Sequence, residues 1–260
     1  HRLLKILKIL KPKKIFTFSK KDIANNYCLN EKSFFKIKKE SLYEKKYIPQ
    51  KDKIAYIMFT SGSTGSPKGV AIKEPGLIEF IDWTAQRFNI THKSTLTNVN
   101  PIYFDNSIFD FYASIFHGAD LIVCGQSQLD NPIELVKYLS LFNPTIWFSV
   151  PTMVRYLMKF RQFTSANFPE LKYLVFGGEP FPKSDLKKIY EEFRNLSQLV
   201  SVYGPTECTC ICSSYTVSDG DFDKMKDYCP LGLINEGFYY YIIDEFNKMC
   251  LDGAKGQLVL

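Results

Sequence analysis

The chain has 260 residues, 45% of them hydrophobic, and a formal net charge of +6. So much apolar material can bury a large core, which excludes an intrinsically disordered segment, while no run approaches the ~18 consecutive apolar residues of a membrane span. The charge is uneven: residues 1–53 carry 16 Lys+Arg against 5 Asp+Glu, but the lysines are mixed with Ile, Phe and Asn and follow no nucleic-acid-binding pattern. A solvated basic face is expected there, and no nucleic-acid partner.

The opening HRLLKILKIL interrupts its leucines and isoleucines with lysine, which predicts an amphipathic helix rather than a signal peptide. A start at His1 and an apparent mid-strand stop at Leu260 suggest a piece of a longer protein, truncated at both ends. From residue 54 to 217 short apolar runs alternate with helical periodicity, the pattern of an α/β layered fold with mostly parallel sheets. Strands are predicted at 54–60, 95–100, 121–124, 145–149, 173–176 and 199–203. Helices are predicted at 77–88, 108–116, 132–142, 152–160 and 183–193, each with apolar residues three and four apart. After Val217 an acidic loop and alternating stretches suggest that a β-rich subdomain begins at 218 and runs to 260, leaving 1–217 as the α/β core.

Seven cysteines without secretory context, an odd number, point to a reducing cytoplasm rather than a disulfide framework. Cys208, Cys210 and Cys212 alternate, which predicts three thiols on one face of a strand; no CxxC or neighbouring His pair supports a metal site.

Two segments carry more specific chemistry. Directly after the first apolar strand comes Thr60-Ser61-Gly62-Ser63-Thr64-Gly65-Ser66-Pro67-Lys68-Gly69. Its glycines let backbone amides point inward, its hydroxyls add donors and Lys68 supplies a point charge, which together suit a phosphate. The GxxxxGK[ST] spacing of nucleotide triphosphatases is absent. Further on, Ser201-Val202-Tyr203-Gly204-Pro205-Thr206-Glu207 ends a strand on an aromatic face and turns into a hydroxyl and a carboxylate suited to phosphate and its metal. Between them, Gly177-Gly178-Glu179 follows a strand and permits close approach of a base or substrate backbone. Asp105, in Phe104-Asp105-Asn106-Ser107-Ile108-Phe109-Asp110, stands where a strand gives way to a helix and could serve as its N-cap.

The stretch IAYIMFTSGSTGSPKGVAI (54–72) resembles the signature of the adenylate-forming superfamily, and YGPTE (203–207) its second hallmark, with GGE between them in the expected order. The likeness is nearest to amino-acid adenylation domains and D-alanine–carrier-protein ligases. It implies ATP-dependent activation of an amino-acid carboxylate as an aminoacyl-adenylate, release of pyrophosphate, and transfer to a carrier-protein phosphopantetheine thiol or coenzyme A. It implies ATP and Mg²⁺, with Thr60, Ser61, Gly62, Ser63, Thr64, Gly65 and Lys68 at the phosphates. Gly178, Glu179, Ser201, Val202, Tyr203, Gly204, Pro205 and Thr206 would complete the nucleotide site. Tyr203 would stack on adenine, Thr206 would bind the α-phosphate and Glu207 would hold the metal, so Lys68, Thr206 and Glu207 form the expected catalytic set.

In amino-acid-activating relatives the aspartate of Phe-Asp-x-Ser pairs with the substrate ammonium, which here is Asp105. The side-chain pocket implied by the resemblance consists of Asn106, Phe109, Phe148, Val175, Gly177, Val202, Cys210 and Ile211. Phe109 and Phe148 would shrink it, whereas Gly177 would open it. The ribose-binding aspartate and the C-terminal-domain lysine of the family lie beyond residue 260, so the fragment alone is expected to be nearly inactive. An acyl-CoA synthetase, an aryl-acid ligase or a non-catalytic nucleotide-binding relative stay open as alternatives.

Overall fold

The structure is a computed structural model that describes residues 50–61, 66–225 and 228–260, together with a two-residue parallel pair, β1 (Ile15–Phe16) and β2 (Cys28–Leu29). The predicted N-terminal amphipathic helix lies outside the described residues.

A hairpin opens the described part, β3 (Ile54–Thr60) running antiparallel to β4 (Lys68–Lys73), with Thr60 opposite Lys68 at its open end. Helix α1 (Glu74–Phe88) follows at once, begun by a proline in its first turn and ended by Asn89 in the left-handed conformation, φ 48°. Then come β5 (Thr95–Asn98), α2 (Asn106–His117), β6 (Asp120–Val123), the single turn α3 (Gln126–Leu129), α4 (Pro132–Ser140) and β7 (Ile146–Ser149). The core closes with α5 (Pro151–Lys159), β8 (Tyr173–Gly177), α6 (Lys183–Phe193), β9 (Gln198–Tyr203), β10 (Ser213–Thr216) and β11 (Leu233–Ile234). The Asn131 side chain caps α4 by accepting from the Ile133 and Glu134 amides.

Seven strands form one sheet in the order β11-β10-β9-β8-β7-β5-β6, parallel from β6 to β9 and antiparallel at β10 and β11. The α/β class with a mostly parallel sheet is therefore as the sequence predicts. The centre, β7 and β8, is buried along its whole length, as expected of parallel strands covered on both faces. Side chains alternate between two apolar layers. Trp147, Leu174, Phe176 and Leu199 pack with Leu135, Leu139, Leu157 and Ile189 of α4, α5 and α6. Phe148, Val175, Val200 and Val202 face the other way, toward Leu77 and Phe80 of α1 and Ile108 and Phe109 of α2.

One sequence expectation needs correction. Cys208, Cys210 and Cys212 do not share a strand face. Thr206–Cys208 is a 3₁₀ turn, Thr209 and Cys210 both have positive φ (58° and 76°), and β10 begins only at Ser213. The Gly-Pro turn reverses the chain, so this stretch is spent on returning antiparallel to β9; the Cys212 amide donates to the Tyr203 carbonyl at 2.8 Å. The sheet continues past Val217, because β11 pairs with β10, whereas β12 (Tyr241–Ile243) and β13 (Gln257–Val259) form a separate antiparallel pair. Among the described residues no helix is long and apolar enough to cross a membrane.

Candidate functional site

The sheet order reverses at β5: β6 lies on one side of it, while β7, β8 and β9 extend on the other. In open α/β sheets such a reversal leaves a crevice at the carboxyl ends of the strands, where ligands bind. Asp105 and Asn106 follow β5, Thr152 follows β7, Gly178 and Glu179 follow β8, and Gly204 to Glu207 follow β9. Motifs scattered through the sequence thus gather along one edge.

Asp105 occupies the N-cap position of α2, yet its side chain makes no capping hydrogen bond. It is engaged instead with the turn after β9. Burial raises the carboxyl above its ordinary range; hydrogen bonding from Thr206 and from the amides of residues 105 and 106 pulls it down, and the Glu207 charge adds to the rise. A half-buried carboxylate that does not cap its helix, set beside a second carboxylate, has the charge to attract a cation.

The phosphate-loop residues are partly on view. Thr60 closes β3, Ser61 follows it, and exposed Lys68 opens β4 directly opposite Thr60; Gly62, Ser63, Thr64 and Gly65 lie outside the described residues. The β4 strand runs against the Thr206–Cys208 turn, which brings the two nucleotide motifs to one side of the sheet. Glu207 is exposed, and Tyr203 is half-buried at the end of β9.

Glycines allow the close approaches. A Cβ on Gly204 would lie 2.3 Å from the Cys210 carbonyl oxygen, so the turn can fold onto residues 210–211 only without a side chain there. Gly178 has φ +83° and lies beside Asn106: a Cβ there would stand 3.6 Å from Asn106 Nδ2. Of the predicted pocket residues, Phe109, Phe148, Val175, Val202, Cys210 and Ile211 form one buried apolar cluster, with Phe109 and Phe148 packed edge to face, centroids 5.1 Å apart. Gly177 ends β8 against Val202, and a Cβ there would stand 2.5 Å from the Val202 carbonyl oxygen.

Two predicted nucleotide residues have other engagements. The Glu179 carboxylate accepts from the Thr152 amide at 3.2 Å and from the Thr152 hydroxyl, tying the β8 turn to the start of α5. Ser201 is buried beside the Cys229 thiol, on the sheet face away from Val202. A residue that sequence reasoning passed over is Asp110. It is 1% exposed and accepts from Asn98 Nδ2 and Asn100 Nδ2, each at 3.0 Å, while Asn100 also donates to the Phe148 carbonyl at 2.9 Å. Burial pushes its carboxyl up to about 8. The available signal was a second aspartate in the motif following two asparagines at a strand end.

An open parallel sheet with a phosphate-type hairpin and a hydroxyl–carboxylate turn at its carboxyl edge defines a nucleotide-binding α/β core. The profile of the AMP-binding enzyme family matches residues 1–260, and the chain belongs to that family. Over 211 residues it is 31% identical to an L-proline–[L-prolyl-carrier protein] ligase of Pseudomonas fluorescens, covering 81% of this chain and 42% of the relative. Over 231 residues it is 30% identical to a D-alanine–D-alanyl carrier protein ligase of Bacillus cytotoxicus, covering 89% and 45%. The chain therefore spans less than half the length of these relatives. Among solved structures, the Vibrio cholerae adenylation domain AlmE in complex with glycyl-adenosine-5'-phosphate matches with a TM-score of 0.72 at 25% identity, over 82% of this chain and 40% of that one. The nonribosomal peptide synthetase FmoA3 in its α-methyl-L-serine-AMP-bound form matches with a TM-score of 0.83 over 99% of this chain and 29% of its own; at 20% identity that likeness speaks for the fold alone.

Proposed function

We propose that this chain supplies the ATP- and amino-acid-binding core of an adenylate-forming ligase that activates an amino acid for transfer to a carrier protein. The observation that carries the reading is Asp105, released from helix capping and set beside Thr206 and Glu207. A half-buried carboxylate is costly beside an apolar acid and favourable beside an ammonium group. The relatives that act on proline and D-alanine with carrier proteins support the same substrate class.

In the first step a substrate carboxylate oxygen attacks the α-phosphorus of ATP, a new P–O bond forms, and the bond to the β-phosphate breaks to release pyrophosphate. Thr206 donates to the α-phosphate, and Lys68 and the hydroxyls of the β3–β4 hairpin hold the departing phosphates, so that positioning and charge stabilisation lower the barrier. Tyr203 offers its face to adenine. In the second step a phosphopantetheine thiol attacks the acyl carbon and AMP leaves. Among the described residues no three His, Cys, Asp or Glu side chains cluster as a metal cage. A single exposed carboxylate, Glu207, suits a cation such as Mg²⁺ that takes most of its ligands from phosphates and water. When bound, Mg²⁺ would neutralise charge on the phosphates.

The test is ATP–pyrophosphate exchange by the full-length protein across glycine, D-alanine and the standard L-amino acids. One amino acid is expected to drive exchange, and Asp105→Ala to lower it on the order of 100-fold, since losing one partner of a buried charge pair costs about 2–5 kcal/mol. Exchange driven by a fatty or aryl acid and indifferent to Asp105→Ala would sink the reading.

A further inference from the structure

The strand that leads into the 60–69 segment carries a buried tyrosine hydroxyl. Tyr56 Oη on β3 is buried and has no hydrogen-bond partner among the described residues. Few buried polar atoms in folded proteins are left this way, because withdrawing one from water without replacing its hydrogen bond is unfavourable. An orphan of this kind calls for a reason, and its surroundings supply one.

Tyr56 packs against the apolar cluster that contains Phe109, Val202 and Cys210, and its ring lies 6.4 Å from that of Tyr112 on α2. The ring therefore packs between the hairpin and the cluster that the amino-acid reading takes as pocket wall. Its ionisation is pushed upward, first by burial, then by Cys210 and by the negative charge of Asp105. The phenol accordingly stays neutral and lies within the field of the same carboxylate that waits for a cation. A ligand oxygen carrying negative charge would be repelled by that field. An ammonium group would be drawn into it, and it brings three N–H donors, more than one carboxylate needs.

We propose that Tyr56 is a binding residue of the amino-acid pocket, its hydroxyl oxygen accepting one N–H of the substrate ammonium that pairs with Asp105. The proposal rests on the amino-acid reading of the site and adds to it a contact from a strand outside the main sheet. Alternation along β3 puts Tyr56, Met58 and Thr60 on one side of the strand, so a single rigid element would hold both the ammonium and the start of the phosphate loop.

Tyr56→Phe in the full-length protein removes one oxygen and keeps the ring. With whichever of glycine, D-alanine or the standard L-amino acids drives the strongest exchange, the amino-acid KM is expected to rise about 10-fold, the scale of a hydrogen bond to a charged group. The ATP KM is expected to stay put, and the melting temperature of the ligand-free variant to equal or exceed that of the wild type, since the orphaned atom is gone. An unchanged amino-acid KM overturns the proposal while the parent reading stands. A lowered melting temperature with both KM values raised assigns the hydroxyl a structural role and overturns it too. Wild-type protein with no amino-acid-dependent exchange overturns the parent reading and this one with it.

Discussion

The Thr206 side chain favours the ionised Asp105 carboxyl across the gap between the turn after β9 and the start of α2, and the Glu207 carboxylate in the same turn pushes that carboxyl the opposite way. Asp105 has to be ionised to pair with an ammonium group, so the acid limb of kcat/KM for the amino acid should follow its pKa. Thr206→Val removes a stabilising donor and should move that limb to higher pH. Glu207→Gln removes a like charge and should move it to lower pH. Both variants are expected to lose turnover because the proposed function sets both residues at the nucleotide; the position of the limb, not its height, is the readout. A shift of both in the same direction would show that another group governs it.

Asp110 makes the opposite use of burial, serving the scaffold rather than a ligand. Its carboxyl is raised to about 8 in the folded protein, against about 3.9 in an unfolded chain. Between those values the native state holds a proton that the unfolded state has released. The stability this residue contributes is fully present below about pH 4 and is lost as pH rises toward 8. Asp110→Asn cannot titrate, so the fall in urea midpoint between pH 4 and pH 8 should be shallower in the variant than in the wild type. Parallel pH profiles would place the titration elsewhere.

Much of the fold could be read from periodicity, because central strands such as β7 and β8 are unbroken apolar runs and α6 shows its buried positions at helical spacing. What escaped was set partly by local turn residues and partly by contacts distant in sequence. Helix α1 begins at Glu74 rather than 77 because Pro75 starts a helix well, while Gly76 breaks the periodic pattern there. Strand β5 stops at Asn98 because the Asn98 and Asn100 side chains turn to Asp110, and Pro101 cannot donate to a ladder. The cysteine alternation at 208–212 imitates a strand, but the Gly-Pro reversal before it decides the backbone. Asp105 and the YGPTE turn were legible as motifs, whereas their contact depends on strand order. Tyr56 gave no sign of itself, since a tyrosine in an apolar strand reads as core.

Gly204 offers a test of the turn itself. Its missing side chain leaves room for the Cys210 carbonyl, which a Cβ would meet at 2.3 Å, with backbone rather than a flexible side chain in the way. Gly204→Ala should lower stability by about 1–3 kcal/mol, the usual range for overpacking, and should weaken exchange by displacing Thr206. Gly220→Ala is the control, because nothing lies within 4 Å of a Cβ there; its effect should stay within about 0.5 kcal/mol. Equal effects at the two positions would mean that the turn relaxes freely.

Phe109 is a core residue that the proposed function also places at the amino-acid pocket. Its ring is 0% exposed and lies edge to face with Phe88 at 5.4 Å and Phe148 at 5.1 Å, which locks it in place from both sides. Truncation to alanine should cost about 3–5 kcal/mol in urea unfolding, the transfer of the ring plus the cavity left behind. If the ring also forms the floor of the amino-acid pocket, Phe109→Ala should raise exchange with larger side chains relative to small ones. Measuring both quantities on one variant distinguishes the roles: a loss of stability with an unaltered size preference would make Phe109 a packing residue only and would move the pocket floor to Phe148.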